Sequence, residues 1–96
     1  MNLIEAIKKI KSFDEEAVLF VKRIEKEWTI NSEVRVLVLS EEDQEKHTCL
    51  IAERFCPGFE YFLEAFIIQD LVTELGDQLL EINRVKRIIE YAENDA

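Results

Sequence analysis

His47, Cys49 and Cys56 are the side chains best suited to nucleophilic or metal chemistry in this sequence. A nucleophile needs a base within hydrogen-bond reach, and His47 has no Ser or Cys partner in a recognisable setting of that kind, so it reads as a surface residue. Taken as soft ligands the three fall short of the four that structural zinc takes, and neither C-x2-C nor H-x3-H spacing occurs. No metal and no cofactor is therefore expected. Two cysteines are too few for a disulfide framework, and on one helix their Cα atoms would stand about 10 Å apart, beyond bridging distance. One route to thiol chemistry is left: Cys56 precedes Pro57-Gly58, and at the start of a following helix the dipole would lower its pKa. A small thiol-dependent enzyme is accordingly the third functional reading. With two Gly in the whole chain there is no Gly-rich phosphate loop.

Carboxylates are the other conspicuous chemistry. Among 96 residues there are 21 Asp and Glu against 12 Lys and Arg, a net charge of -9. The excess is regional: residues 1–32 hold six acids and six bases, residues 33–96 fifteen acids and six bases. Between Arg54 and Arg84 no Lys or Arg occurs, while Glu60, Glu64, Asp70, Glu74, Asp77 and Glu81 fall there as three pairs spaced i, i+4. On a helix such pairs repel, by about 0.2–0.5 kcal/mol each. No neighbouring group turns them into a general acid/base pair, so no enzyme is expected from them. What they can do is keep a small protein soluble, or offer a docking face to a basic partner. A polyanion would be repelled, which disfavours direct DNA or RNA binding.

The elements that must carry these residues read as mainly α. Asn2 with Glu5 and Ser12 with Glu15 each set an N-cap acceptor three residues before a carboxylate, predicting a helix over about Leu3–Lys11 and a second over about Phe13–Trp28. The latter has Ala17, Val18, Val21, Ile24 and Trp28 at helical spacing. Val34–Leu39 is β-branched and apolar and reads as one short strand that pairs either in a hairpin with a mate near His47–Glu53 or with its own copy in a dimer, the remaining alternative being a helix that overrides its Val propensity. Ser40 before Glu41-Glu42-Asp43 predicts a helix from Glu41 to Phe55, stopped by Cys56-Pro57-Gly58. A stripe of Phe59, Phe62, Leu63, Phe66, Ile67, Leu71 and Leu75 predicts a long helix ended or kinked at Gly76-Asp77, and a last helix spans about Gln78–Ala92. The expectation is four to five helices around a single core plus one strand at about 34–39, with residues 1–96 forming one domain.

No stretch approaches the ~20 apolar residues that span a bilayer, and the first eleven residues carry charges inside their apolar pattern, unlike a signal peptide. A cytoplasmic protein without membrane contact is expected. The leading reading is a non-catalytic interaction domain whose acidic half docks on a basic protein, as an inhibitor, immunity or antitoxin-like protein does when it covers a nucleic-acid-binding site. Glu60, Glu64, Asp70 and Glu74 are the contact candidates, with Tyr61 and Trp28 as part-exposed aromatic anchors. The alternative is a homo-oligomeric structural or regulatory domain: 48% apolar residues exceed what one small core hides, and a lone strand offers an edge.

Overall fold

Ala17-Val18-Leu19-Phe20-Val21 is a run of five apolar residues with no polar face, and in the computed structural model it is the central strand of a sheet, buried at every position. The structure describes residues 1–38, 48–76 and 80–95. Their order is α1 (Leu3–Lys8), a 3-10 turn (Ile10–Ser12), β1 (Ala17–Val21), β2 (Val34–Val38), α2 (Thr48–Phe55), β3 (Glu60–Glu64), α3 (Ala65–Leu75) and α4 (Glu81–Asp95). The three strands form an antiparallel sheet in the order β2-β1-β3. The protein is thus mixed α/β rather than mainly α with one strand.

Strand β1 replaces the helix expected over Phe13–Trp28. A strand covered on both faces is apolar throughout, whereas a surface helix needs a polar side, and the unbroken run leaves none. Its alternate residues divide the interior in two. Ala17, Leu19 and Val21 face a cluster built from Leu3, Ala6 and Ile7 of α1, Ala65 and Ile68 of α3, and Val85, Ile88 and Ala92 of α4. Val18 and Phe20 face Ile51, Ala52 and Cys56 from α2 and its end. In place of a single core there are two apolar layers, one on each side of the sheet.

The expected strand over 34–39 is present as Val34–Val38, but its mate is β1, in the register Ala17↔Val38 to Val21↔Val34. Neither of the pairings expected for it is the one formed; residues 48–53 lie in α2. The predicted helix from Glu41 to Phe55 is seen over Thr48–Phe55, and its first part, with Ser40 and His47, lies outside the described residues. Between β1 and β2 the chain makes a tight turn at Ile24–Glu27, closed by mutual backbone hydrogen bonds of 2.7 and 3.0 Å. Glu25 and Lys26 there both have positive φ, 51° and 73°.

The aromatic stripe begins not as a helix but as β3. Leu63 pairs with Leu19 and Tyr61 with Phe20, so Phe62 is an extra residue in a bulge. The bulge lets Phe62 and Leu63, adjacent in sequence, both enter the cluster beneath α1, α3 and α4, while Tyr61 joins the opposite one. Two neighbouring apolar residues on one side break the period of two and imitate helical spacing. Helix α3 then starts at Ala65 and stops at Gly76, whose φ of 70° and ψ of -175° suit glycine alone.

The caps divide in the same way. Asn2 Oδ1 accepts from Glu5 N at 3.0 Å, as its spacing predicts. The second expected cap does not form: Ser12 Oγ donates back to Lys9 O at 2.5 Å, and Asp14 accepts from Glu16 N at 2.8 Å in a local turn leading into β1. No described helix is long and apolar enough to cross a membrane.

Candidate functional site

The six residues expected to contact a partner do not lie on one helix. Glu60 opens β3 and Glu64 ends it, so the first i, i+4 pair spans a strand of about 13 Å rather than one helical turn. Glu60 is moreover engaged inside the molecule. It accepts a hydrogen bond from Arg23, whose other arm donates to Glu93 of α4 at 3.0 Å and to Lys26 O at 3.2 Å. The guanidinium carbon lies 4.0 Å from the centre of the Trp28 ring. Burial works against the Arg23 charge, but its hydrogen bonds to Glu93 and Glu60 and the charges of those carboxylates outweigh burial and hold its pKa above the ordinary value. Arg23 thereby ties the β1–β2 turn, the start of β3 and the end of α4 together.

Trp28 is not the exposed anchor expected of it. It is buried, donates its indole N–H to Val21 O at 3.2 Å, and meets Phe62 edge to face at 4.9 Å between ring centres. Its position past the turn, on the far side of β1 from α2, makes it part of the core. Tyr61 is half-buried and stands edge to face on Phe20, 6.3 Å away, on the α2 side of the sheet. The sheet therefore separates it from α3.

Asp70 and Glu74 remain, both exposed on α3 and one turn apart. Neither has a hydrogen bond or ion pair among the described residues. One turn before Asp70 stands Phe66, 47% exposed. The inward side of α3 is Ala65 and Ile68, with Leu71, Val72 and Leu75 packed behind them, and this register turns Phe66 outward. Phe66 thus departs from the core stripe in which its spacing from Phe59 and Phe62 placed it. The missing signal was the strand: once β3 ends at Glu64, the helical phase restarts at Ala65. Gln69 pins the helix from its side, donating to Ile10 O at 2.9 Å and Phe13 O at 3.2 Å. Glu64, half-buried at the strand–helix junction, makes no side-chain cap hydrogen bond and borders the same end of α3. The structure therefore brings Phe66, Asp70 and Glu74 onto one face, and sets Glu60, Tyr61 and Trp28 elsewhere.

Nucleophilic chemistry finds no support at Cys56. The segment after it is a strand, so no helix N-terminus lowers its pKa. Burial pushes the thiol up instead, and the nearby Arg35 charge only partly opposes this. Among the described residues no group of three or more His, Cys, Asp and Glu is placed to hold a metal ion. His47 lies outside the described residues, as does the side chain of Cys49.

Among the described residues, two clefts open along α4. One, of about 590 Å³, runs between Trp28, Ile30, Ile82 and Ile89. The other, of about 360 Å³, lies between α1, the 3-10 turn, α3 and α4. No protein-family model, characterised protein or solved structure matches this chain.

Proposed function

We propose that this is a non-catalytic, cytoplasmic interaction domain that docks on a basic protein surface through the outward face of α3, in the manner of an inhibitor, immunity or antitoxin-like protein. The observation that supports it is the alignment of a half-exposed aromatic, Phe66, with two carboxylates, Asp70 and Glu74, that no cation among the described residues engages. Carboxylates kept only for solubility would sit as well among lysines and would need no aromatic beside them. A buried anchor with a charged surround is how interfaces concentrate their energy: the aromatic supplies contact area at low entropic cost and the charges steer the encounter. Glu64 extends the face at the helix start, whereas Glu60 is retired to a structural role beside Arg23. Cys56, a buried free thiol among the described residues, suits a reducing compartment.

The test is capture of partners from the host on the immobilised protein, alongside a Phe66→Ser, Asp70→Asn, Glu74→Gln variant. A basic protein held by the wild type and lost from the variant supports the reading. Equal retention on both removes it. The homo-oligomer remains a second reading on one observation, Val38 at 61% exposure on β2 at the edge of the sheet. Sedimentation at tens of micromolar decides it: a monomer ends this reading, and a dimer lost on Val38→Lys supports it.

A further inference from the structure

In a protein with 21 carboxylates and 12 cations, a place where cations predominate is unexpected. The 360 Å³ cleft is such a place. Lys8 of α1, Lys11 of the 3-10 turn and Arg84 of α4 all line it, and Glu81 is the one carboxylate among its described lining residues. Its floor is apolar, with Ile7, Val72 and Val85 contributed by three different helices. Glu81 lies 3.1 Å from Lys8 Nζ, but both side chains are about half exposed, 52% and 50%. Such an exposed pair is weak and exchanges readily for another anion.

The dimensions choose among anions. A cleft of this size is at the lower end of small-molecule pockets, roughly 300–1,000 Å³. Lys8 and Lys11 against Glu81 leave one positive charge in excess, which suits one localised negative charge, and a long polyanion would meet repulsion beyond the cleft from the net charge of -9. The apolar floor favours a hydrocarbon tail, each methylene gaining by leaving water. We propose that this cleft binds a small anionic amphiphile, a monocarboxylate with a short apolar chain. Its chain lies along Ile7, Val72 and Val85, and its head group is held by Lys8 and Lys11 beside Arg84. The site is separate from the outward face of α3, because Val72 enters it from the helix's inward side.

Octanoate, octan-1-ol and octyltrimethylammonium are the probes, titrated into the labelled protein and followed by backbone amide shifts. Octanoate is expected to give saturable shifts centred on Ile7, Val72 and Val85, with octanol binding about tenfold more weakly and the cation not at all. A Lys8→Gln, Lys11→Gln variant is expected to keep its spectrum and lose about tenfold in octanoate affinity, with octanol unchanged. Lys11→Gln alone, which leaves the Lys8–Glu81 pair intact, is expected to lose part of that affinity. Equal affinity for octanoate and octanol would overturn the proposal, as would shifts centred elsewhere or absence of saturation at millimolar octanoate.

Discussion

Replacing Arg23 by Ala tests whether one side chain holds three segments of this fold together. The guanidinium sits 4.0 Å from the Trp28 ring centre and its side chain is 30% exposed, so the cation–π contact is partly desolvated and contributes about 1 kcal/mol. Its carboxylate partners, Glu60 and Glu93, are more exposed, at 57% and 44%, and such pairs contribute about 0.2–1 kcal/mol each. With the loss of the aliphatic stem over Trp28, Arg23→Ala is expected to cost about 2–3 kcal/mol. In a domain of this size that lowers Tm by roughly 8–24 °C. Urea unfolding followed by tryptophan fluorescence is the assay, since Trp28 is the only tryptophan and reports on its own environment. Arg23→Lys keeps the charge but not the fork and is expected to lose about half as much. A double-mutant cycle with Glu93→Gln is expected to give a coupling of about 0.5–1 kcal/mol. A loss below about 0.5 kcal/mol for Arg23→Ala, with unchanged emission, would refute the assignment of Arg23 as a tie between segments.

Other substitutions separate the elements that the fold distinguishes. Phe62→Ala, at a fully buried bulge position, is expected to cost about 3–5 kcal/mol, while Phe66→Ala costs less than about 1; equal losses in denaturant would contradict the phase of α3. Lys26→Gly, at φ 73°, is expected to raise stability by about 1 kcal/mol, since glycine takes that conformation without strain. Gly76→Ala is expected to lower it by about 1–3 kcal/mol although a Cβ there meets no neighbour, because the cost is in the backbone alone. A calorimetric Tm that moves the opposite way in either would overturn the corresponding turn geometry. Burial raises the Cys56 pKa, so the folded state binds the thiol proton more tightly than the unfolded chain does. That contribution is complete below the ordinary thiol value of about 9 and is lost as pH rises beyond it. Cys56→Ser is expected to abolish this alkaline decline in urea midpoints, and an undiminished decline would count against it.

Local signals were read correctly where one short-range interaction decides the outcome. The Asn2 cap, the glycine stop at Gly76, the β-branched strand from Val34 and the amphipathic last helix are all of this kind. The two large corrections share a cause. Ala17–Val21 contains residues at helical spacing because every residue in it is apolar, and a fully apolar run matches any period. Its true partner lay at Val34, across a turn whose central residues, Glu25 and Lys26, carry none of the Asn or Gly signals of such turns. Glu60–Glu64 was hidden by its bulge, which places Phe62 and Leu63 on one side and so resembles a helix face. The acidic excess was legible from composition, but its division was not. Glu60 joins Arg23 across 37 positions of sequence, and no local pattern announces such a pair.

The α3 face carries the functional account, and association kinetics with a captured basic partner test it most directly. The comparison is between wild type and Asp70→Asn, Glu74→Gln, measured across salt concentrations together with melting curves. Exposed charges act mainly on encounter, so the double variant is expected to associate several-fold more slowly with a flatter salt dependence. Its dissociation rate should change little. Its stability should hold or rise by about 0.2–0.5 kcal/mol as the repulsion between the two carboxylates is removed. Unchanged association and salt dependence in the double variant would contradict the account and leave Asp70 and Glu74 as solubilising charges.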